Sequence, residues 1–139
     1  MKEKLKNLYV YCETIPDRLY PFTVEIEGQL VRGQRAYIKT LADAWEKYGP
    51  NNMGYKLTMY RSAFHFVGSI WFIVFATVLS HRFFNSDMAL YVLMGAAIGA
   101  LFFQEFYIHP RQYNQKSRKG ISDWLTWVIP MMVYLTFIN

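Results

Sequence analysis

The chain has 139 residues, a formal net charge of +5 and a hydrophobic content of 53%. This length suits one domain, and the apolar content is high for a soluble protein of that size. The basic residues are dispersed among acids, which disfavours a nucleic-acid partner. The single cysteine, Cys12, excludes an internal disulfide and a cysteine-based zinc cluster.

Charged and apolar residues occupy different parts of the chain. The residues before Ala63 include ten of the fifteen Lys and Arg residues and seven of the ten carboxylates, whereas the long apolar runs come later. The sequence therefore predicts a polar N-terminal section over residues 1–55 and a membrane domain over residues 56–139.

Apolar residues at helical spacing predict two amphipathic helices in the polar section, over residues 2–13 and 29–48. The first helix could bind an anionic membrane surface or pack on the rest of the polar section, and the sequence does not distinguish these two alternatives. The apolar face of the second helix is predicted to comprise Leu30, Ile38, Leu41, Trp45 and Tyr48, with Tyr37 and Ala44 beside them.

The segment between these helices, "FTVEIE", alternates apolar and polar residues as a strand does. A single strand needs a pairing partner, and the sequence offers none that is obvious. We therefore interpret this segment as extended chain or as the first turn of the second helix.

Three later segments are long and apolar enough for membrane helices, which need ~20 residues. They are predicted over residues 62–80, 88–108 and 121–138. On the first of them, small and polar residues share one face, and such a face packs helix against helix in lipid. That face includes Ser62, His65, Ser69, Ala76 and Ser80. The predicted fold is an all-α integral membrane protein whose three transmembrane helices follow a cytoplasmic, amphipathic-helical section.

The distribution of basic residues predicts the orientation in the membrane. The N-terminal flank and the second loop are rich in Lys and Arg, whereas the first loop has only Arg82. The positive-inside rule then places the N-terminus in the cytoplasm and the C-terminus outside it, in a membrane such as the bacterial inner membrane.

Small residues also mark packing surfaces on two of the membrane helices. Gly95 and Gly99 form a G-x-x-x-G pattern that Ala96 and Ala100 widen into a strip, and Gly68 precedes Ser69 on the first helix. Such strips allow backbones to approach closely. The strip on the second helix is predicted to meet a neighbouring helix, but the motif occurs with every activity and assigns none.

Four ionisable residues, His65, Glu105, His109 and Asp123, are predicted to lie at one depth near the cytoplasmic boundary of the hydrocarbon. Ionisable groups at that position suggest a proton relay, an ion site or a general acid and base. Two imidazoles and two carboxylates also suit a divalent metal in principle, although no metal or cofactor is predicted.

Each of these residues also has a structural interpretation, which the sequence favours. Asp123 is typical of a helix N-cap, and Glu105 is placed to pair with Arg61, Arg111 or His109. His109 precedes Pro110, where the helix is predicted to end, and is typical of a wet interfacial residue. His65 is typical of a hydrogen-bonded histidine within a helix bundle.

Three functions remain as hypotheses. The favoured one is a non-enzymatic accessory, assembly or scaffold subunit that packs on a membrane-protein partner or on copies of itself. The second is transport, or ion or proton passage, by an oligomer that uses Glu105 and His65. The third is an enzyme acting on a lipid-linked substrate through Glu105, His109 and Asp123. In that hypothesis, basic loop residues hold phosphate: Arg111, Lys116, Arg118 and Lys119.

Overall fold

The computed structural model describes residues 2–50 and 52–138, and 81% of the chain is helical. The chain divides into two compact units, unit 1 over residues 1–61 and unit 2 over residues 62–139. The boundary falls inside a helix, Gly54–Leu79, so this one helix contributes residues to both units.

Unit 1 contains three helices and a short hairpin before that shared helix. The helices are α1 (Lys2–Glu13), α2 (Ile15–Arg18) and α3 (Gln34–Tyr48), and the strands are β1 (Val24–Ile26) and β2 (Gln29–Val31). The two strands pair antiparallel, with Val24 opposite Val31 and Ile26 opposite Gln29.

This hairpin corrects two predictions, namely an all-α fold and a helix that begins at Gln29. The turn residues Glu27 and Gly28 both have positive φ, 52° and 76°. Left-handed backbone at both positions is what a two-residue type I′ hairpin turn requires, and glycine adopts it at no steric cost. The sequence signal for this turn is weak, because Glu27 occupies the position at which Asn or Asp is usually found.

Helix α3 buries only part of the predicted apolar face, namely Tyr37 and Ala44. Its buried residues are Ala36, Tyr37 and Ala44, whereas Trp45 and Tyr48 remain 45% and 52% exposed. Alanine at positions 36 and 44 lets the helix approach the other elements of unit 1 closely. The apolar area of a side chain therefore does not decide by itself which positions of α3 are buried. The predicted burial of Ile38, Trp45 and Tyr48 is therefore wrong.

An aromatic cluster and an arginine hold unit 1 together. The ring of Tyr20, which is 2% exposed, lies 5.6 Å from the Tyr37 ring and 5.2 Å from the Tyr60 ring, edge to face. The Arg61 guanidinium donates to the Tyr37 hydroxyl at 2.9 Å and to the Asp17 carboxylate at 3.3 Å. Burial raises the pKa of Asp17 even though Arg61 acts to lower it, and burial also raises the pKa of Tyr37.

Three long helices run through unit 2, the first of them entering from unit 1. They are continuous over Gly54–Phe84 with 31 residues, Asp87–Tyr113 with 27 and Ser117–Ile138 with 22, and all three are long and apolar enough to cross a membrane. The prediction of three such helices is confirmed. In detail they comprise α4 (Gly54–Leu79), the π-helical turn π1 (Ser80–Phe84), α5 (Asp87–Phe103), a second π-helical turn π2 (Gln104–Ile108), α6 (His109–Tyr113) and α7 (Ser117–Ile138).

The inward face predicted for α4 is buried in the structure. Ser69, Ala76 and Ser80 are 0%, 1% and 0% exposed, whereas Trp71 and Val78 on the other side are 70% and 58% exposed. Large apolar side chains on an outer surface are expected where lipid tails are the solvent. The apolar core of unit 2 comprises Ile73, Ala76, Leu90, Met94 and Met131.

The helix that contains Pro110 does not end there, contrary to the prediction. It continues as α6 to Tyr113, after the wider turn π2. Proline has no N–H and its ring crowds the carbonyl one turn earlier, so an ordinary α-turn before it is strained. A π-helical turn just before Pro110 changes the local hydrogen-bond pattern and lets the helix run on.

Candidate functional site

The candidate site is built around the π-helical turn π2. The backbone N–H of His109 donates to the carbonyl of Gln104, which is the five-residue spacing of a π-turn. Such turns interrupt α-helices frequently at functional sites, because they turn side chains away from the regular helical positions. Here the turn carries Glu105 and directly precedes His109, two of the four residues expected to cluster.

Of the two acids among these four residues, Glu105 is the more deeply buried, with 2% exposure. One carboxylate oxygen, Oε2, accepts a hydrogen bond from His109 Nδ1 at 3.1 Å and another from Gln115 Nε2 at 2.8 Å. A buried carboxylate needs such donors, because leaving it without them costs several kcal/mol. Of the partners proposed for Glu105, the structure shows His109.

The other nitrogen of the His109 ring has a partner of its own. His109 Nε2 lies 3.2 Å from the amide nitrogen of Gln104, and the residue is 8% exposed. A neutral imidazole with its proton on Nδ1 satisfies both contacts, since Nδ1 then donates to Glu105 and Nε2 accepts from Gln104. The residue is enclosed rather than placed at a wet interface, so the interfacial interpretation of His109 is wrong.

A second pair of ionisable residues lies on α7 and faces α4. Lys119 Nζ donates to Asp123 Oδ2 at 2.5 Å, one helical turn apart, and Asp123 is 5% exposed. Across the bundle, His65 Nδ1 lies 4.0 Å from Asp123 Oδ1, and the His65 ring is 5.8 Å from the Trp127 ring. Asp123 thus connects α7 to α4.

Asp123 is not the N-cap of this helix, contrary to the structural interpretation of the sequence. Helix α7 begins at Ser117, so Asp123 lies in its second turn rather than at its first position. The free N–H groups that a cap would serve lie more than a turn away. Its carboxylate serves Lys119 instead.

Gln115 joins the two pairs into one network. Its side-chain nitrogen donates to Glu105, and its side-chain oxygen accepts from Lys119 Nζ at 3.4 Å. Hydrogen bonds therefore run from Gln104 and His109, through Glu105, Gln115 and Lys119, to Asp123. His65 Nδ1 lies 4.0 Å from Asp123 Oδ1, which is an ion-pair distance rather than a hydrogen bond. We call these seven residues the polar network.

Gln115 and Lys119 are members that the sequence did not identify as such. Gln115 lies in a connection between helices, where a glutamine carries no periodic or spacing signal. The sequence predicts Lys119 only as one of the basic loop residues that hold phosphate, whereas its ammonium group donates to Asp123 and Gln115. Helix spacing places residues of one helix relative to one another, whereas these contacts depend on how two helices are joined.

Two glycines allow the helices of unit 2 to approach closely. A Cβ built on Gly120 would lie 3.0 Å from the Glu105 carbonyl oxygen and 3.2 Å from Gln115 Nε2. A Cβ built on Gly68 would lie 2.4 Å from the Trp127 ring. Beside it, the Ser69 hydroxyl donates to the Trp127 carbonyl at 2.6 Å. Gly68 and Ser69, both expected at a helix contact, lie at the contact between α4 and α7.

Gly95 and Gly99 have no such contact with the described part of the chain. Gly95, Ala96, Gly99 and Ala100 are exposed, and a Cβ built on Gly95 or Gly99 meets no described atom of another segment within 4 Å. The strip therefore lies on the outer surface of unit 2 rather than against either neighbouring helix.

The remaining basic loop residues lie outside the polar network. Arg111 donates to the Tyr107 carbonyl at 3.2 Å and covers the Tyr107 ring at 3.5 Å. Lys116 and Arg118 are exposed. Lys119, the fourth basic residue of this loop region, does lie in the polar network, because it donates to Asp123 and Gln115.

Chemically, the polar network can hold and exchange protons between carboxylates and imidazoles, and it can fix the ends of three helices. Across residues 2–50 and 52–138 of the structure, no three His, Cys, Asp or Glu side chains are grouped as metal ligands. Comparisons with known proteins found no matching family model, no matching curated protein and no matching solved structure.

Proposed function

We propose that this chain is a small polytopic membrane protein that acts as an accessory or assembly subunit and binds another membrane helix through α5. The observation that carries the proposal is the exposed strip of Gly95, Ala96, Gly99 and Ala100. In lipid, apolar side chains gain little by leaving the tails, and small residues favour association by letting two backbones approach. A strip left open by the chain's own helices is available to a second protein.

The polar network supports this proposal from the other side of the same helix. Its ionisable groups bind one another, and they connect α4, the turn π2 and α7. An arrangement of this kind holds three helices in a defined position, as a scaffold needs.

The test is co-purification in mild detergent with bulky residues introduced in the strip. Gly95→Ile and Gly99→Ile each add a branched side chain where a partner backbone must approach, and we expect the paired variant to lose a stoichiometric partner or its self-association. The matched control is Ala63→Ile, which adds similar bulk at another exposed position. Association unchanged in the paired strip variant would overturn the proposal.

The identity of the co-purified species separates the two kinds of partner. A second polypeptide in constant ratio indicates an assembly subunit of a larger complex. A tagged and an untagged copy recovered together, with no other polypeptide in constant ratio, indicates a homo-oligomer. In both cases the strip variant is expected to release the partner while Ala63→Ile retains it.

We further propose that the N-terminus is cytoplasmic and the C-terminus extracytoplasmic, in a bacterial inner membrane or another plasma membrane. The support is the excess of Lys and Arg in the N-terminal flank and the second loop. A membrane-impermeant maleimide should label Cys12 only after intact cells are permeabilised. In a Cys12→Ser background, Phe84→Cys should be labelled without permeabilisation, and the reverse pattern would invert the topology.

A second candidate function is proton or ion passage by an oligomer that uses Glu105 and His65. The observation that favours it is the chain of hydrogen bonds from Glu105 through Gln115 and Lys119 to Asp123, whose Oδ1 lies 4.0 Å from His65 Nδ1. Buried ionisable residues in membrane segments are typical of proton relays. Within one chain, however, the apolar core residues Leu90, Met94 and Met131 are at most 1% exposed, so a path needs surfaces from more than one copy.

Replacing Glu105 with Gln tests this candidate, because glutamine keeps an acceptor oxygen but cannot carry the proton. Purified protein in vesicles that contain a pH-sensitive dye would report proton flux after an acid pulse. Flux that falls to the level of empty vesicles in Glu105→Gln supports the candidate. Flux equal in the variant and the parent chain rules it out.

A further inference from the structure

The connection between the second and third spanning helices is rich in positive charge. Residues 106–122 contain no Asp or Glu, but they contain four basic residues, Arg111, Lys116, Arg118 and Lys119. The ammonium group of Lys119 pairs with the buried Asp123. The other three side chains are exposed, and across the part of the chain that the structure describes none of them forms an ion pair. Three positive charges are therefore left without an acid partner at this end of unit 2.

The lengths of the flanking helices place this connection at the headgroup level of a bilayer. Residues 114–116 alone separate the helix over Asp87–Tyr113 from the helix over Ser117–Ile138, and both helices are long and apolar enough to cross a membrane. At 1.5 Å per residue, Arg111 lies about 36 Å along its helix from Asp87, roughly one turn beyond a hydrocarbon core of about 30 Å. The cations are therefore expected where lipid phosphates lie.

Arg111 is held against an aromatic ring. Its guanidinium lies 3.5 Å from the centre of the Tyr107 ring and donates to the Tyr107 carbonyl at 3.2 Å. The Tyr107 ring in turn stacks on the Phe103 ring, with 4.6 Å between the centroids and 18° between the planes. A guanidinium has five N–H donors, so one bond to a carbonyl leaves others for a ligand.

These three side chains form a continuous stack on the outside of unit 2. Phe103 and Tyr107 are 52% and 48% exposed, and Arg111 is exposed as well. Towards the end of the helix, the stack passes from an apolar ring through a phenol to a cation. A phospholipid has the complementary order of groups, with acyl chains in the hydrocarbon and a phosphate at its boundary. We call these three residues the arginine stack.

The other connection of unit 2 lacks this combination. Between α4 and α5, Arg82 and Asp87 are both exposed and give that connection one charge of each sign. Phe83 and Phe84 are 74% and 60% exposed there, so exposed rings occur at both connections. Among the described residues, no cation lies over either of these rings. Charge and the stacked guanidinium, rather than exposed rings, distinguish the second connection.

We propose that the arginine stack binds an anionic phospholipid, with the phosphate at Arg111 and an acyl chain along Tyr107 and Phe103. Positive charge favours an anionic lipid over a zwitterionic one, and Lys116 adds to it within about 18 Å, the longest span of five residues. The rings favour a lipid over free phosphate, which gains nothing from them. Binding requires that the helices span a membrane, but it does not require a partner for α5.

The measurement is the lipid retained by the purified full-length chain. The protein is equilibrated in mild detergent with equal amounts of phosphatidylglycerol and phosphatidylcholine that have the same acyl chains. After gel filtration, the bound lipids are extracted and counted per polypeptide. We expect more phosphatidylglycerol than phosphatidylcholine, and a smaller excess at high salt, because salt screens exposed charges.

Inorganic phosphate tests whether the ligand is a lipid or a free ion. At equal ionic strength, phosphate should displace no more phosphatidylglycerol than chloride does. Stronger displacement by phosphate would indicate a site for the free ion and would overturn the choice of a lipid. Tyr107→Ala should lower the amount of phosphatidylglycerol retained, because it removes the ring between Arg111 and Phe103.

Charge variants test the site itself. Arg111→Gln should lower the ratio of phosphatidylglycerol to phosphatidylcholine about five-fold, the effect of one basic residue near an anionic surface. Arg111→Lys keeps the charge but loses the planar fork that stacks on the ring, so its ratio should lie between those of Arg111→Gln and the parent chain. The matched control is Arg82→Gln, which removes one charge from the other connection and should leave the ratio unchanged.

Two results would overturn the proposal. One is equal retention of the two lipids by the parent chain. The other is an equal loss in Arg82→Gln and Arg111→Gln, which would mean that total charge rather than the arginine stack selects the lipid. If Arg111→Gln does not yield folded protein, the exposed pair Lys116→Gln and Arg118→Gln should lower the ratio instead, and an unchanged ratio in that double variant would also exclude the proposal.

Discussion

The continuous helix formed by α5, π2 and α6 has one region that is buried inside unit 2 and one region that lies on its outer surface. Glu105 and His109 are enclosed, at 2% and 8% exposure, whereas Gly95 and Gly99, about two turns earlier, lie on the outer surface. Ionisable groups in a membrane helix need hydrogen-bonding partners inside the protein, because lipid tails supply none. Small apolar residues lose little by facing lipid, so they can remain open until another helix binds.

The glycines of unit 2 show the same contrast. Gly68 and Gly120 each lie against another helix or turn, where a Cβ would be 2.4 Å and 3.0 Å from its nearest neighbour, while the space around Gly95 and Gly99 is open. All four lie within long apolar helices. Two of them therefore shape the fold, and the other two leave a surface for association.

The largest expected effect comes from breaking the enclosed region. Glu105→Ala removes the acceptor shared by His109 and Gln115, and we expect the free energy of unfolding in mixed detergent micelles to fall by about 3 kcal/mol. Glu105→Gln retains an acceptor oxygen and should lose less than half of that. Equal stability of Glu105→Ala and the parent chain would mean that the polar network does not hold unit 2 together.

Adding a methyl group to the contact glycines comes next. Gly68→Ala should lower the free energy of unfolding by about 2 kcal/mol, because the Trp127 ring must move to admit the Cβ, and Gly120→Ala should lower it by about 1 kcal/mol. Gly95→Ala is the matched control, with an expected change within about 0.5 kcal/mol. A loss at Gly95 as large as that at Gly68 would remove the distinction between the two kinds of glycine.

A smaller effect is expected at the hydrogen bond between α4 and α7. Ser69→Ala removes the donor to the Trp127 carbonyl, and we expect a loss of about 1 kcal/mol in the same unfolding assay. Thr136→Ala is the control, since that exposed hydroxyl bonds the Val133 carbonyl of its own helix at 2.7 Å. The comparison fails if both variants lose the same stability.

The smallest effect concerns unit 1 and its pH dependence. Because burial raises the pKa of Asp17 above its ordinary value of 3.8, the folded state binds this proton more tightly than the unfolded state does. Its contribution to stability is then fully present below the unfolded pKa and is lost as the pH rises through the folded pKa. The protection of α3 amides, corrected for the intrinsic pH dependence of exchange, should therefore fall over this range, and Asp17→Asn should flatten this pH profile. An unchanged slope would contradict this assignment.

Much of the architecture follows from local pattern. The three membrane-length helices follow from the length of the apolar runs, and the inward face of α4 follows from the helical spacing of Ser69, Ala76 and Ser80. By contrast, the hairpin was missed because its turn lacks an Asn-Gly signal. The apolar face of α3 is predicted only in part, since Tyr37 and Ala44 are buried while Ile38, Trp45 and Tyr48 are exposed.

The candidate site was predicted in part. Helical spacing relates Glu105 to His109, and counting along the helices suggested that His65 and Asp123 lie at a similar depth. The structure brings Asp123 within 4.0 Å of His65 and joins it to Glu105 through Lys119 and Gln115. Spacing within one helix does not define the connection between two helices, and for that reason Gln115 was missed.

The sequence by itself determined that this protein has three helices able to cross a membrane, and it predicts that four ionisable residues lie near one level. Those properties depend on composition and on helical period, which are local. Only the tertiary structure decided that Gly68 and Gly120 are contact residues while Gly95 and Gly99 face outward, and that Gln115 completes the polar network. These outcomes depend on which side chains meet across helices, and that is fixed by the packing of the whole unit.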